Sequence, residues 1–268
     1  MQDRFRKKFL SRCAAVSCFL VLMLTGCSSS LELSSGWTDQ ELAITGDGSR
    51  WKDATTKIAG PEVFVGIKND KDNLYICLMT SNPATQLQML GLGCTAWFDT
   101  RGNKNKTFGI QFPVSGLLQG RRYPAQVNPE EIQRLIASAE QQLVILGPAP
   151  GERRRGPAKN ATGLEGRLGY VDGLMTCELK VPLQKTKAHP YAIDADFTKP
   201  LVVGFETGDL AEVLRGQTGG SSPSQSTGGR GRGGSRGGGA SDQGLGNDRP
   251  DPLKHWITIH LSSGLNTR

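Results

Sequence analysis

Between residues 62 and 80 the chain repeats the two-residue period of a β-strand twice, on either side of a four-residue polar turn. Val63, Val65 and Ile67 fall on one face of the first run. In the second, Leu74, Ile76 and Leu78 oppose Tyr75, Cys77 and Met79, with Asn69–Asp72 as the connection. A period of two cannot settle into a helix, because side chains then point all round the axis. The pattern therefore commits this region to a hairpin, and the rest of the fold must supply sheet around it.

The same signal recurs downstream. Cys94–Asp99 and Thr107–Val114 read as strands, the latter with Phe108, Ile110 and Phe112 on one face. Leu164–Tyr170 and Leu174–Val181 flank Asp172-Gly173, a tight hairpin signal. Leu201–Glu206 reads as a central strand with little polar content. In His255–Leu261, Trp256, Thr258 and His260 oppose Ile257, Ile259 and Leu261. One segment breaks the pattern. Asn128 caps, Pro129 takes the first helical position, and Ile132, Leu135, Ile136, Ala139 and Leu143 share a helical face, which predicts an amphipathic insert over 128–143. Val144–Leu146 continues as a short strand. The expected fold is mainly β: a β-sandwich or jelly roll of eight or nine strands with one inserted helix.

The N-terminus reads as an address. Arg4, Arg6, Lys7, Lys8 and Arg12 precede an apolar run from Ala14 to Leu24, too short to span a bilayer. Leu24-Thr25-Gly26-Cys27 resembles the lipobox of bacterial lipoproteins, in which the residue matching Cys27 is acylated. Residues 1–26 are thus expected to be a signal peptide, 27–43 a lipidated tether, 44–262 the domain and 263–268 a tail. The implied location is the cell envelope, held to the membrane through lipid on Cys27. With Ser28 rather than Asp after the cysteine, the destination is the outer membrane if the organism is diderm. The signal's charge of +4 accounts for more than half of the formal +7, leaving +3 for the mature chain. That is no basis for a nucleic-acid surface.

Gly is abundant, with 35 residues, many of them in 216–246 around Gly229-Arg230-Gly231-Arg232. Having no aromatic, Val or Ile, this stretch is predicted to be a disordered loop. Its three arginines lack the interleaved aromatics that stack on bases, so no nucleic-acid partner is expected. Cys77, Cys94 and Cys177 lie in strand-like runs and read as buried thiols, with at most one disulfide among them. No nucleophile elbow, zinc helix or phosphate loop occurs, and the chain carries only three histidines. His255 and His260, five apart on a strand, point to opposite faces. The chain does not read as an enzyme.

What remains is binding chemistry. Trp97 and Asp99 share a strand face with Thr95, beside the polar turn running to Asn103. An indole stacks on a sugar face and a carboxylate takes its hydroxyls. The oxygens of Asp99, Asn103 and Asn105 could equally hold a structural Ca²⁺, or Asp99 and Asn103 could simply stabilise the turn.

Three segments carry a resemblance: Ile44-Thr45-Gly46-Asp47-Gly48-Ser49-Arg50-Trp51, Val65 through Asn69-Asp70 to Asn73-Leu74-Tyr75-Ile76, and Thr95-Ala96-Trp97-Phe98-Asp99. Their series is similar to the family-9 carbohydrate-binding-module superfamily. The resemblance implies a jelly-roll sandwich, sugar-chain ends held between aromatic rings, and structural Ca²⁺. No second ring-sandwiching aromatic can be matched to a position. Members of the same fold group bind haem through Met and His, for which Met79, Met89, Met175, His189 and His260 are available. The expected function is a non-catalytic, membrane-tethered module with carbohydrate as its ligand. The alternatives are a structural or assembly lipoprotein that makes protein contacts and a haem-binding module.

Overall fold

The computed structural model describes residues 31–52, 54–59, 63–114, 128–208 and 252–264. The signal peptide, Cys27 and the Gly/Arg-rich stretch 216–246 lie outside the described residues.

Two sheets make a β-sandwich. The strands are β1 (Leu31–Ser34), β2 (Gly36–Trp37), β3 (Thr55–Ala59), β4 (Val63–Asn69), β5 (Asn73–Thr80), β6 (Cys94–Asp99), β7 (Phe108–Gln111), β8 (Gln142–Leu146), β9 (Arg153–Pro157), β10 (Glu165–Val171), β11 (Leu174–Pro182), β12 (Leu201–Thr207) and β13 (Lys254–His260). One sheet runs β1-β13-β12-β6-β7-β8-β9; the other runs β10-β11-β5-β4-β2, with β3 also paired to β4. The predicted β4–β5 hairpin forms in the expected register, Val65 opposite Leu78 and Ile67 opposite Ile76. At the β10–β11 turn, Asp172 (φ 50°) and Gly173 (φ 81°) both take left-handed conformations, the requirement of the tightest hairpin turn.

The inner faces meet in one core. From β5 come Leu74, Ile76 and Leu78, from β6 Ala96 and Phe98, from β12 Val203 and Phe205, from β13 Ile257 and Ile259. The helix over Pro129–Ala139 packs Ile132, Ile136 and Ala139 on the same core, and Asn128 Oδ1 accepts from Glu131 N at 2.8 Å. It ends earlier than expected, and Leu143 is a core residue of β8 instead.

Four features differ from the sequence expectation. There are thirteen strands among the described residues, not eight or nine. The residues expected as tether include β1, which pairs in parallel with β13, so the folded unit begins by Leu31 and not near Ile44. A second helix, Pro83–Leu92, sits between β5 and β6; Asn82 caps it by accepting from Thr85 N at 3.0 Å. Its residues 86–92 are all buried, including Gln86, whose Nε2 donates to Thr80 O and Gly173 O. A helix buried all round shows no amphipathic stripe. Finally, β9 carries Arg153, Arg154 and Arg155 and forms the edge of the larger sheet.

The outer face of the smaller sheet is also covered. Residues 42–51 lie over it and close a second cluster of Ile44, Trp51, Tyr75, Cys77 and Met79. Glu178, 1% exposed, anchors this segment. Its Oε2 accepts from Thr45 N (2.7 Å) and Gly46 N (2.9 Å), and its Oε1 from Trp51 Nε1 (2.8 Å).

Candidate functional site

The registers of the larger sheet set one lateral row of residues on its outer face. Trp256 of β13 pairs with Gly204 of β12, Gly204 with Trp97 of β6, and Trp97 with Gly109 of β7. Gly109 then pairs with Leu146 of β8, and Leu146 with Arg153 of β9. The neighbouring row, two residues along each strand, runs Lys254, Glu206, Thr95, Gln111, Val144, Arg155. Strands stand about 4.8 Å apart, so the two tryptophans, two strands apart, are roughly 10 Å from each other.

Each indole lies on a glycine. A Cβ on Gly204 would come within 2.7 Å of Trp256 Cδ2 and Cε3, and one on Gly109 within 2.6 Å of Trp97 Cε3. Any larger residue at either place would lift the ring from the sheet. Both rings are half-buried, with one face on the backbone beneath. Between them opens a shallow cleft lined by Trp97, Lys106, Gly204, Phe205, Glu206, Lys254 and Trp256. Glu206 crosses it: its Oε2 accepts from Trp97 Nε1 (3.1 Å) and from Lys106 Nζ (2.5 Å). The indole is thereby fixed in rotation, and its Nε1–H is satisfied. Lys254 is exposed and forms no ion pair among the described residues.

Such a surface suits a ring with an apolar face and hydroxyls on its edge. Two indoles offer stacking area; Glu206 accepts hydrogen bonds, and Lys106 and Lys254 donate them.

Of the residues singled out in the sequence, Trp97 lies in this cleft. Asp99, 4% exposed, does not line it. Its carboxylate accepts from the backbone N–H groups of Arg101 (2.8 Å), Asn103 (2.8 Å) and Asn105 (2.9 Å). Three donors use most of a carboxylate's acceptor capacity, and Asn103 enters this turn through its backbone N–H. Calcium needs six to eight oxygens. These residues do not fit it: the carboxylate faces N–H donors, and the described residues contain no cluster of three or more His, Cys, Asp or Glu in metal-holding geometry.

The candidate haem ligands are not gathered either. Met89 and Met175 are in the main core and Met79 in the second cluster. His189 Nδ1 lies 2.9 Å from Thr162 O, and His260 is exposed beside Glu32. Cys77, Cys94 and Cys177 are buried and free, so no disulfide joins them. Burial pushes the Cys94 thiol up to about 12 and raises the other two.

Sequence reasoning missed Trp256 and Glu206 as partners of Trp97. The signal was half present: the alternation of β13 already set Trp256 apart from the core residues Ile257 and Ile259.

No family model matches the chain, and no curated relative matches it. Among solved structures it is similar to a family-9 carbohydrate-binding module from Caldicellulosiruptor kristjanssonii in complex with glucose. That match has 9% identity and a TM-score of 0.35, covering 66% of this chain and 78% of that one. It is also similar to a family-9 module of the same organism in complex with cellotriose, at 10% identity and a TM-score of 0.35, over 68% and 77% of the two chains.

Proposed function

We propose that this chain is a non-catalytic carbohydrate-binding module whose sugar rings lie on Trp256 and Trp97. The observation that carries the reading is the row Trp256–Gly204–Trp97–Gly109, with Glu206 and two lysines at its side. Glycine beneath each indole leaves the rings low and broad, where a pyranose can stack. Glu206 both fixes Trp97 and offers a carboxylate to sugar hydroxyls. A shallow, partly wet platform of this size supports weak binding, on the order of high micromolar to millimolar for a short oligosaccharide.

The test is calorimetric titration of cello-oligosaccharides and xylo-oligosaccharides into the wild type and into Trp97→Ala and Trp256→Ala. Each substitution should abolish measurable binding while the protein still unfolds cooperatively. Retention of wild-type affinity in both variants would refute the platform.

Lipid on Cys27 would tether this module to a membrane of the cell envelope, the outer one in a diderm organism. The support is the run from the basic N-terminus through Leu24-Thr25-Gly26-Cys27. Fatty-acid labelling that stays at wild-type strength in Cys27→Ser would remove this part of the proposal.

A further inference from the structure

The row that begins with the two tryptophans ends on Arg153, and its neighbour ends on Arg155. Both arginines are exposed and on the same outer face as the cleft. An edge strand gains from any charge that deters pairing with another chain, and that need alone would be met by either sign. Here every charge on the outer face of β9 is a guanidinium. Neither Arg153 nor Arg155 forms an ion pair among the described residues. Arg153 Nη2 donates to Gln111 Oε1 (3.2 Å), and Arg155 Nη1 to Gln142 Oε1 (3.4 Å). Arg154, on the opposite face, does find a carboxylate, Glu152, at 2.8 Å.

The glutamines hold the two guanidiniums in place without neutralising them. A guanidinium has five N–H donors in a fork that matches a carboxylate or sulfate, and one neutral hydrogen bond leaves most of them free. At the cleft itself Lys106 and Lys254 stand against the single carboxylate of Glu206. Beyond the Lys106–Glu206 pair, positive charge therefore stands at both ends of the two rows, with Lys254 on β13 and Arg153 and Arg155 on β9.

We propose that this face takes an acidic oligosaccharide, with its sugar rings on Trp256 and Trp97 and a carboxylate or sulfate group on Arg153 and Arg155. The inference rests on the sugar-binding reading above and adds the chemical class of the ligand. At about 4.8 Å per strand, Trp97 and Arg153 are roughly 14 Å apart and Trp256 and Arg153 roughly 24 Å. A monosaccharide cannot reach both ends, so the preference for acid should appear only with chain length. Gln111 and Leu146 lie along the way, one offering an amide and the other a half-buried apolar side chain.

The experiment compares three probes of equal length: an oligogalacturonate, a sulfated oligosaccharide and a neutral cello-oligosaccharide. Each is titrated into the full chain and into Arg153→Gln/Arg155→Gln at low and high ionic strength, with thermal melts alongside. Charge-assisted contacts of this kind are expected to favour at least one acidic probe by about tenfold or more over the neutral one. The preference should fall with salt, and it should vanish in the double variant, with the neutral probe little changed. Which acidic probe gains more separates carboxylate from sulfate recognition. Equal affinity for all three probes in the wild type, or a preference that survives the double variant, overturns the inference. Failure of the platform reading looks different: Trp97→Ala and Trp256→Ala would then leave the neutral probe's affinity intact.

Discussion

Glu178→Gln changes almost no volume, yet it should cost the domain several kcal/mol. The carboxylate is 1% exposed and spends itself on three N–H donors, two of them on the backbone of the segment it holds down. A carboxamide has one oxygen. If that oxygen stays on Thr45 N and Gly46 N, the amide NH₂ must face the indole N–H of Trp51, which is itself fully buried. Two donors then oppose each other without water. An unsatisfied buried donor costs about 1–3 kcal/mol, and the two surviving bonds lose their charge assistance. Relief from burying a charge offsets part of this. The net loss is expected at about 2–4 kcal/mol, which lowers Tm by about 5–15 °C for a domain of this size. Trp51→Phe supplies the control. With the indole N–H gone, the amide has nothing to oppose, so Glu178→Gln should cost less in that background, with a coupling of about 1–3 kcal/mol. Thermal and urea unfolding of the four proteins measures it. A Glu178→Gln variant within about 0.5 kcal/mol of wild type, or strict additivity with Trp51→Phe, would refute the reasoning.

Three further outcomes are expected. Gly204→Ala puts a methyl 2.7 Å from the Trp256 ring; it should cost about 1–3 kcal/mol as overpacking does and weaken sugar binding with both tryptophans present, which titration and indole fluorescence would report. Cys77, Cys94 and Cys177 should resist maleimide at pH 8 in the folded protein and react once guanidinium unfolds it, because burial disfavours each thiolate; mass mapping of the labelled cysteines checks this. His255 is held below its ordinary value, first by burial and then by Lys104, and its Nε2 is buried with no hydrogen-bond partner among the described residues. The unfolded chain therefore binds the extra proton first as pH falls through about 6.5, so wild type should lose stability between pH 7.5 and 5.5 by more than His255→Gln does.

The local period of the chain carried most of the β structure. It placed β4, β5, β11 and β13, and it gave the correct faces: Tyr75, Cys77 and Met79 do stand opposite Leu74, Ile76 and Leu78, in their own cluster. What periodicity cannot carry is which strand lies beside which. Trp97 and Trp256 are far apart in sequence, and they become neighbours only because β12 pairs with β6 on one side and β13 on the other. Nothing within Leu201–Thr207 announces that its glycine will be the floor between two indoles. Elements with weak patterns were lost for related reasons. Leu31–Ser34 is four residues long and gains its strand only through β13. Arg153–Pro157 has no apolar alternation, and its pairing comes from β8. The helix after Pro83 buries Gln86 and Gln88 along with its leucines, which hides its stripe, although Asn82-Pro83 carries the same start signal as Asn128-Pro129.

The two outer faces of the sandwich differ in how they are covered. On the smaller sheet the outward residues Tyr75, Cys77 and Met79 are apolar or nearly so, and the chain covers them with its own segment 42–51, pinned by Glu178. Tyr75 joins that seal by donating its hydroxyl to Asp70 Oδ2 (2.5 Å) and accepting from Leu42 N (3.1 Å). Trp51 shows what an indole does when it serves only the fold: it is fully buried, lies on Gly66 and has its N–H capped by Glu178. Trp97 repeats two of these three features, with Gly109 beneath it and Glu206 on its N–H, and departs in the third by remaining half-exposed. Trp256 likewise lies on glycine and remains half-exposed. A sheet that only needed its glycines covered would be served as well by rings under a second layer, as Trp51 is. Leaving two large rings partly in water forgoes part of the burial energy that each could contribute. A ligand that stacks on them recovers it, so the larger sheet's outer face is where binding should be sought.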